Sequence, residues 1–106
     1  MPWQMRHLIQ ILLPLADNDG VPFPETLLRQ LQAELAGRFG RLTAYSRVPA
    51  KGVWTHDGQR QADDIIVVEV MADQLDEEWW RLFRRRLEEL LRQEKIVVRA
   101  QEIQNL

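Results

Sequence analysis

The sequence predicts one α+β domain whose elements follow the order strand, helix, strand, strand, helix, strand. Two observations support this prediction. Short apolar runs that end at turn residues alternate with two longer segments whose apolar residues recur at helical spacing. The six elements use all 106 residues, which leaves no room for a second domain, so we expect residues 1–106 to form a single unit. This order is typical of a ferredoxin-like fold, in which two helices cover one face of a four-stranded antiparallel sheet.

The first strand and first helix are separated by a polar turn. His7 to Leu13 is a compact aliphatic run that ends at Pro14, and the acidic segment 17–20 then breaks it. Pro24 suits the first turn of a helix, because a proline there gives up no helical hydrogen bond. The helix continues through an apolar stripe made by Leu27, Leu28, Leu31, Leu35 and Phe39.

The middle of the chain predicts an edge strand, a hairpin and a central strand. Leu42 to Val48 reads as a strand and is followed by Pro49, which cannot donate to a sheet ladder, so we expect this strand at the sheet edge. Asp57-Gly58 is a strong hairpin signal, and we expect Lys51 to Asp63 to project as an accessory arm. Asp64 to Met71 is predicted to be a central strand.

The second helix has a clear start and a clear apolar stripe. Either Asp73 or Asp76 could cap it, and Glu77 and Glu78 favour the positive N-terminal end. Lys95 to Gln101 then closes the sheet. The stripe consists of Trp80, Phe83, Leu87, Leu90 and Leu91, and the opposite surface has pairs at four-residue spacing, namely Arg84 with Glu88, Arg85 with Glu89 and Glu88 with Arg92.

Three segments resemble small uncharacterised bacterial proteins of ferredoxin-like fold. They are Leu42-Thr43-Ala44-Tyr45-Ser46-Arg47-Val48-Pro49-Ala50-Lys51-Gly52-Val53-Trp54, Val67-Val68-Glu69-Val70 and Glu78-Trp79-Trp80. The resemblance extends over Leu8 to Gln101. It implies the fold and a bacterial setting, and it assigns no functional residue.

Composition excludes several classes of function. The 14 basic and 16 acidic side chains leave a net charge of −2 and are interspersed, so no long-range field would attract nucleic acid or an anionic membrane. Without cysteine there can be no disulfide, thiol nucleophile or thiolate metal site, and the expected compartment is the cytoplasm. No apolar run is long enough to span a bilayer.

Motifs for metal binding, RNA binding and catalysis are weak or incomplete. His7 and His56 have no ligand spacing, and a calcium loop with Gly20 at its sixth position would put Leu15 and Thr26 where carboxylates are required. We therefore expect no metal and no cofactor. The third strand lacks the aromatic side chains that stack on RNA bases, and Pro2 as an N-terminal base would lie several residues before the first strand.

Alternation along the strands predicts a mixed surface on the sheet face away from the helices. Residues expected to face the helices are Ile9, Ile11, Ala44, Val48, Ile66, Val68, Ile96 and Val98. The opposite face then has polar residues beside Leu8, Leu12, Val67 and Met71; these polar residues are Gln10, Tyr45, Arg47, Glu69, Arg99 and Gln101. This face is too apolar to remain fully wet. We expect a second copy to cover it, as a homodimer with Arg47 or Arg99 paired to Glu69.

The alternative is a small-molecule pocket at the same face. Tyr45, Trp54 and Met71 would wall it, and an arginine would bind an anionic group. The protein would then be a small anionic-ligand sensor or a cofactor-independent enzyme, with His56 as a possible acid or base. The candidate ligand-binding residues are Tyr45, Arg47, Trp54, His56, Glu69 and Arg99.

Overall fold

The computed structural model describes the backbone of residues 6–40, 43–49, 54–56, 59–61 and 64–106, and the side chains of residues 6–40 and 65–106. It has six strands and two helices in that part of the chain. In chain order the elements are β1 (His7–Pro14), α1 (Glu25–Phe39), β2 (Thr43–Pro49), β3 (Trp54–His56), β4 (Gln59–Gln61), β5 (Asp64–Ala72), α2 (Glu77–Leu90) and β6 (Val97–Glu102).

Four of the strands form an antiparallel sheet in the order β2-β5-β1-β6. The central strand β1 pairs with β5 and β6, so that Ile11 lies opposite Val68 on one side and Val98 on the other. β2 lies at the edge, where Pro49 is tolerated because one side of an edge strand has no ladder partner. The predicted α+β class, with two helices and an antiparallel sheet, is confirmed.

β3 and β4 pair with each other in a separate two-stranded sheet. Trp54 lies opposite Gln61, and His56 lies opposite Gln59. These strands flank the predicted Asp57-Gly58 turn, whose two residues lie outside the described part of the chain. The predicted pairing of the hairpin strands is therefore confirmed, whereas its role as an accessory arm stays a prediction.

Both helices pack on one face of the sheet. Alternate residues of β1 and β5 are buried beneath them, in agreement with the predicted alternation of these two strands. Leu90 departs from the predicted stripe, since it is 48% exposed whereas Leu87 and Leu91 are fully buried. The core comprises Ile9, Ile11, Leu13, Ile66, Val68, Val70, Ala72 and Ile96 from the sheet side, together with Leu31, Leu35, Trp80, Phe83, Leu87 and Leu91.

Aromatic rings join the end of α1 to the start of α2. Trp80 is 5% exposed and stacks on Phe39 with their ring centroids 5.2 Å apart. Trp79 stacks on Phe83 at 5.1 Å, and the Arg38 guanidinium lies 4.3 Å from the centroid of the Trp79 ring. Trp79 and Trp80 thus contribute to packing, and the Arg38 guanidinium covers the Trp79 ring.

The two helices begin differently. The Asp76 side chain accepts a hydrogen bond from the Trp79 backbone N–H at 3.1 Å, which identifies Asp76 rather than Asp73 as the cap of α2. Pro24 precedes the first residue of α1 instead of lying in its first turn, and it supplies no side-chain cap. At the other end of α2, Arg92 has a left-handed backbone with φ of 51°.

Charged side chains of α2 connect it to its neighbours. Of the three pairs predicted on this helix, only Arg84 with Glu88 lies within 4 Å among the described residues, with Nε and Oε2 3.9 Å apart. Glu88 also accepts a hydrogen bond from the Ile96 backbone N–H at 2.9 Å, which connects the helix to the segment just before β6. Arg86 donates to Glu34 of α1 and so bridges the two helices.

Candidate functional site

The sheet has a second face that points away from the two helices, which we call the open face. In the part of the chain whose side chains are described, every buried helix residue packs against the other face. Because directly opposed residues of antiparallel strands share a face, the strand registers identify the residues of the open face. Among the residues whose side chains are described, they are Leu8, Gln10, Leu12, Pro14, Ile65, Val67, Glu69, Met71, Val97, Arg99 and Gln101.

Three polar side chains form a row across the open face, which we call the polar row. Gln10 on β1 lies directly opposite Glu69 on β5 and Arg99 on β6. The Gln10 side-chain amide donates to Glu69 Oε2 at 3.0 Å, and its oxygen accepts from Arg99 Nε at 2.8 Å. The amide therefore links an acid to a base, and its orientation is determined by two hydrogen bonds.

The ends of the polar row retain unused hydrogen-bonding groups. Within the described residues, Glu69 accepts only through Oε2 and Arg99 donates only through Nε. Glu69 Oε1 and both terminal nitrogens of Arg99 therefore have no hydrogen-bond partner in the described part of the chain. Because a guanidinium can offer two parallel N–H groups to a carboxylate, Arg99 retains the geometry needed for bidentate binding.

Aliphatic rows lie on both sides of the polar row. On one side Leu12 lies between Val67 and Val97, and on the other side Leu8 lies between Met71 and Gln101. Leu8, Leu12, Val67 and Met71 are half-buried, and Val97 is 41% exposed. The open face therefore has a charged centre within an aliphatic surface.

The structure brings together two of the predicted site residues, Glu69 and Arg99, through Gln10. The sequence placed Gln10 on this face but did not identify it as a site residue. Its importance depends on strand register, since only the pairing of β1 with both β5 and β6 places its amide between the two charges. An isolated glutamine in an aliphatic run gives little indication of such a role.

The predicted faces of β2 are wrong by one residue. Tyr45 and Arg47 occupy register positions opposite Val68 and Ile66, which lie on the helix-facing side of the sheet. Ala44, predicted to face the helices, lies opposite Glu69. A one-residue shift exchanges the two faces of a strand, so Tyr45 and Arg47 do not share the face of the polar row.

Trp54 and His56, the two candidate residues of the hairpin, lie on β3. Their backbone pairs with β4, and their side chains lie outside the described part of the protein. Their predicted role in ligand binding stays a prediction. His7, the other histidine, lies at the start of β1 with Nδ1 3.3 Å from the Asp73 carbonyl oxygen, which agrees with a structural role.

A separate apolar cavity lies between the helices and the sheet. Leu28, Leu31 and Gln32 of α1 line it together with Ile66 and Phe83. It lies on the helix-facing side and is therefore distinct from the pocket predicted at the open face. Gln32 is its only polar lining side chain among the described residues, so the cavity offers little chemistry for binding a charged ligand.

The described side chains show no cluster of acidic or histidine residues that could hold a metal ion. In the same part of the chain, no helix is long and apolar enough to cross a membrane. Among the described side chains, the two charged groups of the open face, Glu69 and Arg99, have opposite signs and are bridged by the Gln10 amide, so the polar row is suited to recognising a complementary charged surface or a small polar molecule.

Comparison with known proteins shows a similarity of structure. No family model and no curated protein sequence matches the chain. The chain is similar to a solved phage SAM lyase in complex with S-methyl-5'-thioadenosine, with a TM-score of 0.67 and 16% identity over 94% of this chain and 83% of the other. At this identity the similarity shows a shared fold.

Proposed function

We propose that the protein is a ferredoxin-like binding and assembly domain that pairs with a second copy of itself through the open face. The strand order β2-β5-β1-β6, with one helix after β1 and one before β6, supports the fold assignment. The observation that carries the functional proposal is the polar row, which has an acid at one end and a base at the other. A surface with this arrangement is complementary to a copy of itself.

The aliphatic rows supply the reason for association. Leu8, Leu12, Val67 and Met71 form a surface that loses contact with water when another sheet covers it. Sheets that pack face to face bury such rows in an interface about 10 Å thick. Burial of apolar surface contributes about 25 cal/mol per Å² removed from water, so covering the aliphatic rows favours association.

Sedimentation velocity over a range of micromolar concentrations tests the proposal. We expect the unaltered protein to be a dimer, and we expect Leu12→Arg to be a monomer because it places a charge among the aliphatic side chains of both copies. Leu82→Arg is the matched control, since Leu82 is 56% exposed on α2 and lies away from the open face. A strictly monomeric unaltered protein, or a Leu12→Arg variant that still dimerises like the control, would overturn the proposal.

A second candidate function is binding of a small anionic ligand, as a sensor or a cofactor-independent enzyme. Arg99 favours it, because its terminal nitrogens have no partner within the described residues and lie beside a half-buried aliphatic surface. The similar phage protein was solved with a small nucleoside bound, which makes S-methyl-5'-thioadenosine a useful additional probe.

Thermal unfolding in the presence of ligands tests the second function. A ligand that binds only the folded protein raises the unfolding temperature, and a concentration 100 times Kd stabilises it by about 2.7 kcal/mol. Small carboxylates, phosphates and S-methyl-5'-thioadenosine are the probes. Stabilisation by an anion that Arg99→Ala abolishes and Arg85→Ala retains would support an anion site. If no probe raises the unfolding temperature, the second function is wrong.

A further inference from the structure

We infer that two copies pair about a two-fold axis that runs nearly parallel to β1, so that Glu69 of each copy meets Arg99 of its partner. This inference rests on the proposed assembly through the open face and specifies its geometry. It follows from the order of charges along the polar row, which runs from Glu69 on β5 through Gln10 on β1 to Arg99 on β6.

Because β1 lies between β5 and β6, the orientation of the two-fold axis determines which strands of the two copies face each other. Neighbouring strands lie about 4.8 Å apart, so the two ends of the polar row are separated by about 10 Å, with Gln10 midway. For two open faces to meet, the two-fold axis must lie in the plane between the sheets. With an axis along β1, β5 of one copy faces β6 of the other. With an axis across the strands, β5 faces β5 and β6 faces β6.

Only the first arrangement brings opposite charges together. With the axis along β1, Glu69 Oε1 of one copy faces the terminal nitrogens of Arg99 in the other, and the same contact occurs twice. These are the groups that the hydrogen bonds to Gln10 leave unused among the described residues. With the axis across the strands, Glu69 faces Glu69 and Arg99 faces Arg99, which electrostatic complementarity disfavours.

The same axis agrees with ordinary sheet packing. Face-to-face sheets align with their strands about 30° apart. When a two-fold axis is inclined to β1, the angle between β1 and its copy in the partner is twice that inclination. A crossing angle of about 30° therefore requires the axis to lie about 15° from β1. The row containing Val67, Leu12 and Val97 then faces its own copy, with Val67 near the partner's Val97. The other aliphatic row likewise brings Met71 near the partner's Gln101.

Cross-linking distinguishes the two axes, because the chain has no cysteine and each introduced thiol is therefore unique. A mixture of Val67→Cys and Val97→Cys proteins is treated with a short bismaleimide, and the product is resolved by denaturing electrophoresis and mass spectrometry. We expect a cross-linked heterodimer from this pair. Both substitutions leave the polar row intact. If Val67→Cys fails to fold, Met71→Cys mixed with Gln101→Cys tests the same axis.

A mixture of Val97→Cys and Gln101→Cys proteins gives the opposite outcome, because these residues lie on the same strand and would meet only if the axis ran across the strands. Preferential cross-linking of this pair in a protein that sediments as a dimer would overturn the inferred axis while leaving assembly through the open face intact. A monomer in sedimentation would instead overturn the proposed assembly itself.

Charge exchange tests the polar row independently. We expect Arg99→Glu alone to raise the dimer Kd at least tenfold, because four carboxylates would then meet in one interface. The double variant Glu69→Arg with Arg99→Glu exchanges the two ends and should return Kd to within about threefold of the original. Arg85→Glu controls for the change in net charge. A double variant that remains as weak as Arg99→Glu would show that the polar row does not determine pairing.

Discussion

Phe83 provides the most direct test of the packing between α2 and the sheet. Its side chain is 4% exposed, stacks on Trp79 at a centroid distance of 5.1 Å and meets the edge of Trp80 at 5.7 Å. Replacing it with alanine removes the ring from the core and takes one aromatic partner from each tryptophan, which still contact Phe39 and each other. The expected result is a large loss of stability with no change in the chain's charge.

The size of the loss follows from burial and ring contacts. Phe→Ala substitutions at buried sites cost 3–5 kcal/mol, and each aromatic pair contributes about 0.5–1.5 kcal/mol beyond its buried area. Because Phe83 is almost fully buried and has two ring partners, we expect Phe83→Ala to cost about 4 kcal/mol. Leu31 is equally buried but lacks ring contacts, so Leu31→Ala should cost about 3 kcal/mol.

Urea unfolding followed by tryptophan fluorescence and circular dichroism measures these losses. With a slope of about 1.3 kcal/mol per molar urea, a loss of about 4 kcal/mol moves the midpoint by about 3 M. Leu82→Ala is the matched control, because Leu82 precedes Phe83 in the same helix yet is 56% exposed, and its cost should stay within about 0.5 kcal/mol. A Phe83→Ala loss below about 1 kcal/mol would contradict the burial assigned to α2.

Further substitutions test three local features of the chain. Asp76→Ala removes the side chain that caps α2 and should cost about 1 kcal/mol in urea unfolding, whereas Asp73→Ala should cost much less. Arg92→Gly should stabilise the protein by up to about 1 kcal/mol, because glycine adopts the left-handed backbone at φ of 51° without strain; a lower unfolding temperature would contradict this expectation. Arg85→Ala should change stability by only about 0.3 kcal/mol, since Arg85 is exposed on α2, and a loss above about 1 kcal/mol would reveal an unrecognised contact.

The sequence predicted the elements that have strong patterns. β1 and β5 are aliphatic along most of their lengths, and their alternation correctly separated buried residues such as Ile11 and Val68 from the open face. The helical stripes were also informative, although Leu90 lies at the border of its stripe and is 48% exposed. A strand or helix with a continuous apolar face buries that face against the core. Its orientation can therefore be predicted from the spacing of its own apolar residues.

The face assignment of β2 failed because its pattern is weak. Tyr45, Ser46 and Arg47 carry amphipathic or polar side chains, so neither face of the strand is distinctly apolar. Register in such a strand is determined by its partner rather than by its own sequence, and β5 places Tyr45 opposite Val68. The sequence contains no local signal that would distinguish this register from one shifted by one residue.

The candidate site could be predicted only in part for a related reason. Glu69 and Arg99 lie 30 residues apart in the chain, and their position on one face follows from alternation. The link through Gln10 requires knowledge of which residues of three strands are directly opposed. That information comes from the sheet order and both registers of β1, neither of which is written in any single segment.

In the proposed dimer the polar row would contribute specificity more than affinity. Covering Glu69 and Arg99 removes water from both charges, and that cost offsets much of the attraction between them. An aliphatic row in the same place would bind about as well but would allow the sheets to meet in several orientations. With Glu69 and Arg99 at opposite ends, arrangements that bring like charges together are disfavoured. The aliphatic rows would then determine how strongly two copies associate, and the polar row would determine their relative orientation.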